Sequence, residues 1–186
     1  GVAQGLGEAH AHGIIHRDVK PENILLDRHS DTPKLLDFGI AAIKWGNDSH
    51  ATRGLVLSPE YASPEQWKGL PAAQLDGRVD LYALGIILSE MLTGKPCFHA
   101  DNAASWVYQH LQVAPAPPSD SRPEVREWPG LDELVLRLLA KEREDRPHDV
   151  AEFVRQLDRL TFTRNGSITV TPAAASPAPP PAPAIA

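Results

Sequence analysis

The chain has 186 residues, a formal net charge of −6, a pI of about 5.7 and one cysteine, Cys97. This length allows one domain with a real core, while the acidic balance argues against the basic surface that a nucleic-acid-binding protein needs. The single cysteine excludes an intrachain disulfide and a thiolate-rich metal site, so we interpret Cys97 as a packed residue. No signal peptide opens the sequence, and its longest apolar stretch, residues 81–92, is too short to span a bilayer.

The first predicted element is a helix that ends at Gly13. Val2, Leu6 and Ala9 recur at helical spacing, but no capping residue precedes them. Because a domain rarely begins in this way, we expect the chain to be truncated at its N-terminus.

The most informative feature is the run His16-Arg17-Asp18-Val19-Lys20-Pro21-Glu22-Asn23, followed by Asp37-Phe38-Gly39. The Asp18 carboxylate can accept the proton of an attacking hydroxyl, and the nearby Lys20 ammonium can stabilise phosphate charge. Asn23 and Asp37 offer the hard oxygen ligands that Mg²⁺ prefers. Gly39 permits the backbone turn that directs Asp37 inward. This set predicts phosphoryl transfer, which depends on positioning and charge stabilisation.

The two runs are separated by a predicted β-hairpin. Residues 24–26 and 34–36 are short apolar strands, and the segment between them is polar. Residues 40–62 lack clear periodicity and predict a long surface segment, which at this length is usually functional.

The second half of the sequence predicts helices. Residues 81–91 are apolar nearly all round, which indicates a central buried helix that Thr93-Gly94 ends. A weaker helix follows at 101–112, and two amphipathic stripes lie at 131–139 and 150–160. The four tryptophans are scattered along the sequence, and we interpret them as packing residues.

The composition changes near the C-terminus. From residue 171 to 186, thirteen of sixteen residues are Pro or Ala. Such a segment has little apolar surface to bury. We therefore expect a folded domain over 1–161 and a Pro/Ala-rich disordered linker or tail over 162–186.

These motifs together resemble eukaryotic-type (Hanks-type) bacterial serine/threonine protein kinases. The resemblance covers residues 1–161 and is similar to the C-terminal lobe of that family, with the N-terminal lobe missing. Further matching elements are Ser63-Pro64-Glu65, Asp80-Leu81-Tyr82-Ala83-Leu84-Gly85 and Asp145-Arg146-Pro147. The implied fold is mainly α within an α+β family, a kinase-like helical bundle with short β-hairpins at the catalytic cleft.

The resemblance also implies roles for the site residues. Asp18 is the expected catalytic base and Lys20 the phosphate contact. Asn23 and Asp37 are the expected ligands of Mg²⁺, with Mn²⁺ as an alternative. Together with Leu25, which is expected to pack beneath the adenine, Lys20, Asn23 and Asp37 form the implied ATP-binding set.

A second group of implied residues is regulatory. Arg17 matches an arginine that pairs with a phosphorylated activation segment. Ser49 and Thr52 are candidate phosphorylation sites, although ordinary polar loop residues have the same composition. Ser58 matches the hydroxyl position that faces the substrate, and its Leu57-Ser58 context replaces the usual Gly-Thr.

A third group is implied to support the site structurally. His16 and Phe38 match stacked positions that link the catalytic and metal-binding loops, with Gly39 following. Glu65 is expected to pair with Arg146, and such a pair is costly to break from one side if it is buried. Asp80 is expected to hold the catalytic-loop backbone, with a simple N-cap as the alternative.

Two histidines remain beside this set. His10 and His12 lie close to His16 in the sequence, but no fourth ligand completes a metal site. We therefore interpret His10 and His12 as residues at a helix end.

The expected function is transfer of the ATP γ-phosphoryl group to protein serine or threonine hydroxyls. No Gly-x-Gly-x-x-Gly motif is present, so we expect this chain alone to be a weak or inactive catalyst. The alternative is a binding or regulatory module that docks a missing N-lobe or another kinase. A third possibility is a small-molecule phosphotransferase of kinase-like fold, the aminoglycoside kind. Such enzymes lack counterparts of residues 40–65 and 80–85, so these residues favour a protein substrate. We expect a cytoplasmic location with no membrane contact from this chain, although a longer parent protein could be anchored beyond the linker.

Overall fold

The computed structural model describes residues 1–27, 29–30, 32–38 and 58–160, and the backbone alone of 161–162 and 168–170. Gly39, Ser49 and Thr52, named above as site residues, lie outside the described residues, as does most of the predicted tail.

The described part of the chain is mainly α-helical, which confirms the predicted fold class. Short 3-10 helices at Pro21–Asn23, Ala72–Gln74, Pro123–Glu127 and Arg143–Asp145 connect the longer elements. The α-helices are α1 (Val2–Ala11), α2 (Pro64–Trp67), α3 (Arg78–Thr93), α4 (Ala103–Gln112), α5 (Pro118–Ser121), α6 (Leu131–Leu138) and α7 (Val150–Arg159).

Helix α3 forms the centre of the fold, as its apolar sequence predicted. Its side chains are buried along most of its length, and it ends at Gly94, which adopts the left-handed conformation with φ 69°. Helix α6 packs closely against it at Gly85, where a β-carbon would lie 2.7 Å from Cβ of Leu138. The first half of α3 faces the segment that follows α1. This brings Asp80 to residues 16–23, the predicted catalytic loop.

Two small antiparallel hairpins accompany the helices. Strand β1 (Ile24–Leu26) pairs with β2 (Pro33–Leu35), and the ladder places Ile24 opposite Leu35. The predicted partner at 34–36 is thus shifted by one residue, although the N–H of Leu36 still donates to the Asn23 carbonyl at 2.8 Å.

The second hairpin was not predicted. Strand β3 (Leu160–Phe162) pairs with β4 (Ile168–Val170). Ile168, Thr169 and Val170 are all β-branched, which favours an extended strand within a segment otherwise rich in Pro and Ala. The hairpin spans the predicted boundary at residue 161, and the division into lobe and tail stays a prediction.

A buried aromatic cluster lies on the side of α3 that faces α4. It consists of Trp67, Tyr82, Phe98 and Trp106 around the fully buried imidazole of His110. The ring centroids lie 5.0 to 6.0 Å from that of His110. These contacts join α2, α3, α4 and the loop before α4.

No helix among the described residues is both long and apolar enough to cross a membrane.

The buried imidazole predicts a pH-dependent stability. Burial and the positive charge of Lys141 lower the pKa of His110 from 6.5 to about 4, against a smaller opposite effect of the Pro59 carbonyl. The unfolded chain therefore binds a proton between these pH values that the folded chain excludes. This contribution to the free energy of unfolding is complete above pH 6.5 and is lost as the pH falls towards 4, by about 2 kcal/mol between pH 7 and pH 5.

Urea unfolding at both pH values measures this change. The matched variant is His110→Phe, which keeps an aromatic ring in the cluster but cannot titrate. The pH dependence should be weaker in the variant by about 2 kcal/mol. Equal pH dependence of the two proteins would contradict the prediction.

Candidate active site

The backbone of the catalytic loop is held by a buried carboxylate from α3. Asp80 is fully buried, and its two oxygens accept hydrogen bonds from the N–H of His16 at 2.9 Å and the N–H of Arg17 at 2.7 Å. Arg17 adopts a left-handed backbone conformation with φ 67°, which is unfavourable for a residue with a side chain. The charge-assisted bonds to Asp80 stabilise this conformation. Asp80 therefore does more than cap a helix.

His10 completes the surroundings of Asp80 and was missed as part of the site. Its Nε2 lies 2.8 Å from Oδ2 of Asp80, although the two residues are seventy positions apart. Gly77 makes room for the imidazole, because a β-carbon there would collide with the His10 ring. His10 does lie in the last turn of α1, as interpreted, but only the folded chain shows what it contacts.

Asp18, Lys20 and Ser58 form a compact hydrogen-bonded group. The Ser58 hydroxyl donates to Oδ1 of Asp18 at 2.9 Å, and the Lys20 ammonium donates to the Ser58 oxygen at 2.7 Å. Lys20 Nζ also lies 3.3 Å from Oδ2 of Asp18. The Asp18 carboxylate and the Lys20 ammonium thus both contact the Ser58 hydroxyl. Ser58 lies six residues before the start of α2.

Asn23 is oriented by the same loop. Its side-chain nitrogen donates to the backbone carbonyl of Asp18 at 2.8 Å and lies 3.5 Å from the Asp18 carboxylate. Asn23 is buried at the end of a 3-10 helix. Because the nitrogen is engaged, the amide oxygen is the atom of this side chain that stays available as a ligand, and no hydrogen bond to it is found among the described residues.

Asp37 is placed beside the loop by its two neighbours in the sequence. The carbonyl of Leu36 lies 2.6 Å from Nε2 of His16, and the Phe38 ring contacts the His16 ring edge-on with centroids 4.9 Å apart. Asp37 itself has φ 61°, a left-handed conformation that sets the direction of its side chain. The stacking expected of His16 and Phe38 is therefore present as an edge-to-face contact.

The amide oxygen of Asn23 and the carboxylate of Asp37 suit a divalent cation that also binds phosphate. One carboxylate and one amide oxygen are hard ligands, and Mg²⁺ is typically bound by few protein groups together with substrate phosphates and water. Among the described residues there is no group of three or more His, Cys, Asp or Glu side chains that could hold a metal alone. Asn23 and Asp37 have the ligand chemistry of such a site, and their assignment as metal ligands stays a prediction.

The guanidinium of Arg17 is only partly satisfied. One terminal nitrogen donates to the Ala72 carbonyl at 3.3 Å, whereas the buried Nε has no partner among the described residues. Its backbone carbonyl accepts a hydrogen bond from the Gln66 amide at 2.9 Å. Arg17 is thus held in place by Asp80 and Gln66 while retaining an unused donor.

Leu25 is an exposed apolar residue of strand β1, with 54% of its surface accessible. Other large apolar residues near the hairpin in the sequence are between 37% and 68% exposed, namely Ile14, Leu26, Leu36 and Phe38. Leu25 and Leu26 are adjacent in the strand and therefore project to opposite sides of the hairpin.

The ion pair expected between Glu65 and Arg146 is present and buried. Two guanidinium nitrogens of Arg146 donate to the two Glu65 carboxylate oxygens at 2.7 and 2.8 Å. Arg146 also donates to the carbonyls of Ala140, Lys141 and Arg78. The pair therefore joins α2 to the loop before α7 and to the start of α3.

Comparison with known proteins shows the family to which the chain is similar. A family model described as protein kinase domain matches residues 1–157. The serine/threonine-protein kinase pkn3 of Myxococcus xanthus is 42% identical over 170 residues, which are 88% of this chain and 30% of that protein. The serine/threonine-protein kinase PknB of Mycolicibacterium smegmatis is 41% identical over 159 residues, 84% of this chain and 24% of that protein. The chain thus spans less than a third of these curated relatives.

A solved structure shows a similar fold. The crystal structure of the Mycobacterium tuberculosis PknI kinase domain superposes with a TM-score of 0.60 at 28% identity. The match covers 84% of this chain and 51% of the PknI chain.

Removing one partner of the buried ion pair should destabilise the chain strongly. In Glu65→Gln the Arg146 charge stays buried without a carboxylate, so we expect the free energy of unfolding to fall by about 3 kcal/mol. The control is Lys68→Met, which removes the exposed pair of Lys68 with Glu142 and should change stability by less than about 1 kcal/mol. Urea unfolding at pH 7 measures both variants, and similar losses in the two would refute the distinction.

Proposed function

Because the chain belongs to the serine/threonine protein kinase family, we propose that it forms the catalytic lobe for transfer of the ATP γ-phosphoryl group to protein serine or threonine hydroxyls. Protein kinases in general use ATP and Mg²⁺ and act on protein substrates. The proposal covers the part that this chain plays in that reaction. We also propose a cytoplasmic location, where ATP is available.

The observation that carries the proposal is the shared hydroxyl of Ser58. The Ser58 hydroxyl donates a hydrogen bond to the Asp18 carboxylate at 2.9 Å, and the Lys20 ammonium donates one to the Ser58 oxygen at 2.7 Å. A substrate hydroxyl needs the same two partners, a base for its proton and a cation beside the phosphate it attacks. Ser58 supports the proposal because it demonstrates that a hydroxyl fits between these two groups.

Each proposed role follows from the atoms that remain available. The Asp18 carboxylate orients the attacking hydroxyl and receives its proton, and Lys20 balances the negative charge at the reaction centre. Asn23 and Asp37 are the residues that would hold Mg²⁺. The bound metal and nucleotide supply phosphate alignment and charge neutralisation.

Two further assignments complete the proposed site. Leu25, an exposed residue of β1, is proposed to pack beneath the adenine. Arg17, with its unpaired buried Nε, is proposed to pair with a phosphorylated Ser49 or Thr52, because a phosphate offers the acceptors that this donor lacks. Gly39 keeps its predicted role in the turn after Asp37.

The 186-residue chain by itself should transfer phosphate slowly. Its sequence has no Gly-rich phosphate-covering loop, and Leu25, the residue proposed to pack beneath the adenine, is 54% exposed. Water at the phosphates weakens every electrostatic interaction on which the reaction depends.

A grafted protein tests the catalytic proposal. Residues 1–161 replace the matching segment of Myxococcus xanthus pkn3, and phosphate transfer from Mg²⁺–ATP to a general protein substrate is measured. We expect activity in the graft and little in the chain alone. Asp18→Asn in the graft should lower kcat by about 10²-fold or more, because the base is lost. The control Asp132→Asn removes a carboxylate that, within the described part of the chain, accepts a hydrogen bond from the Ser119 N–H far from the proposed site residues in the sequence, so kcat should stay unchanged. A folded graft that is insensitive to Asp18→Asn would refute the proposal.

The exposed apolar residues around the β1–β2 hairpin favour a second function, that of a binding module. Leu25 and Leu26 are both more than half exposed, and exposed apolar surface often marks an interaction site. We propose that the occupant is the N-terminal lobe of a related kinase, since Leu25 also belongs to the proposed nucleotide-binding set.

Binding of the isolated N-terminal lobe of pkn3 to the chain, measured by calorimetry, tests this function. Leu26→Asp should weaken binding at least about tenfold, because it places a charge in the apolar contact. The control Met91→Asp changes a residue that is more exposed but lies at the far end of α3, so binding should be unaffected. No binding by the unmodified chain would exclude this role.

A further inference from the structure

Gln66 is a buried glutamine of α2 that none of the sequence motifs singled out. Its side-chain oxygen accepts hydrogen bonds from the N–H of Ser63 at 2.9 Å and from the Ser63 hydroxyl at 3.1 Å. Its side-chain nitrogen donates to the backbone carbonyl of Arg17 at 2.9 Å, forty-nine positions earlier in the chain. Because the Ser63 N–H can only donate and the Arg17 carbonyl can only accept, these partners fix which end of the amide faces each of them.

The oxygen of the Gln66 amide has an ordinary use at the start of a helix. Ser63 is the N-cap of α2 and Gln66 is the third residue of that helix. In a capping box, the side chain at this third position accepts a hydrogen bond from the N–H of the N-cap residue. An acceptor alone is enough for capping, so capping does not explain the bond from the nitrogen to Arg17.

The bond from Gln66 holds one side of the peptide unit that joins Arg17 to Asp18. The N–H of the same unit donates to Nδ1 of His16 at 3.3 Å. Nε2 of His16 lies 2.6 Å from the Leu36 carbonyl, which can only accept, so the ring proton is on Nε2 and Nδ1 is an acceptor. Because a peptide unit is planar, with its oxygen and hydrogen on opposite sides, Gln66 and His16 together fix its orientation.

This peptide unit leads directly into the proposed base. Its rotation changes ψ of Arg17 and φ of Asp18, and it therefore moves the Asp18 carboxylate relative to Lys20 and Ser58. Arg17 already has an unfavourable φ of 67°, so the arrangement depends on partners from outside the loop. Asp80 supplies the partner for the Arg17 N–H, and Gln66 supplies the one for the Arg17 carbonyl.

We propose that Gln66 is a positioning residue, whose side-chain N–H holds the Arg17–Asp18 peptide unit and thereby directs the Asp18 carboxylate. The same bond connects α2 to the catalytic loop. Only the catalytic consequence rests on the proposed phosphoryl transfer, because the hydrogen bond and the placement of the peptide unit can be measured without any reaction.

Hydrogen exchange of the Gln66 side-chain amide in the unmodified chain is the first test. Its protons should exchange at least about tenfold more slowly than those of Gln112, which is exposed at the end of α4. Equal exchange rates of the two side chains would overturn the proposal, because an amide that is bonded to Arg17 is shielded from water.

The second test uses Gln66→Met, which keeps an unbranched side chain of similar length but has no donor. The Asp18 amide should exchange about tenfold faster, the effect of losing roughly one hydrogen bond at this peptide unit. The ¹³C NMR signal of the Arg17 carbonyl should also shift, because that carbonyl loses its donor. Exchange is expressed relative to the amide of Ile86, in the middle of α3, which reports global opening.

The matched control is Asn102→Ala, which removes the side-chain oxygen that caps α4. It costs stability through the loss of a cap but should change neither the relative exchange of the Asp18 amide nor the Arg17 carbonyl signal. Equal changes in Asn102→Ala and Gln66→Met would overturn the proposal, because they would follow from general destabilisation.

The remaining outcomes also decide the proposal. In a folded Gln66→Met chain, an unchanged Arg17 signal or unchanged Asp18 exchange would overturn it. If Gln66→Met does not fold, exchange of the Gln66 side chain in the unmodified chain decides. In the graft, Gln66→Met should lower kcat about tenfold and leave KM for ATP within about twofold, and Asn102→Ala should change neither. An inactive graft with the expected exchange results would refute the phosphoryl transfer alone.

Discussion

One buried carboxylate, that of Asp80, sets the geometry on which the catalytic loop depends. It comes from the central helix α3 and accepts the backbone N–H groups of His16 and Arg17, with His10 against the same oxygen. A charge this far from water is stable only when several donors surround it. The need to satisfy Asp80 therefore brings together α1, the loop and α3, and Arg17 keeps an unfavourable backbone angle as a result.

The local part of the site could be predicted from the sequence because its residues are close in the chain. Asp18, Lys20 and Asn23 lie within six positions, and their order alone indicated the chemistry. Periodicity predicted individual helices, and the central helix and its end at Gly94 are observed where they were expected, while the fold class was implied by the family resemblance. Short-range patterns carry this information because helices and loops of this kind form from neighbouring residues.

The contacts that were missed join residues far apart in the sequence. His10 finds Asp80 seventy positions later, and no periodic pattern links them. Trp67 and Trp106 were interpreted as scattered packing residues, yet the fold brings both to His110. The β3–β4 hairpin was missed because the Pro/Ala-rich stretch that follows it, from residue 171 onward, suggested a disordered tail beginning at residue 162. Side-chain meetings of this type are decided by tertiary packing, which one sequence does not display.

The resident hydroxyl of Ser58 has a consequence for any incoming substrate. Oδ1 of Asp18 already accepts a hydrogen bond from the Ser58 hydroxyl, while Oδ2 lies near the Lys20 ammonium and the Asn23 amide nitrogen. A substrate hydroxyl that reaches the proposed site therefore competes with the Ser58 hydroxyl for Oδ1 of Asp18. In the proposed reaction, the Ser58 hydroxyl would leave the Asp18 carboxylate when the substrate hydroxyl binds and would return after the product leaves.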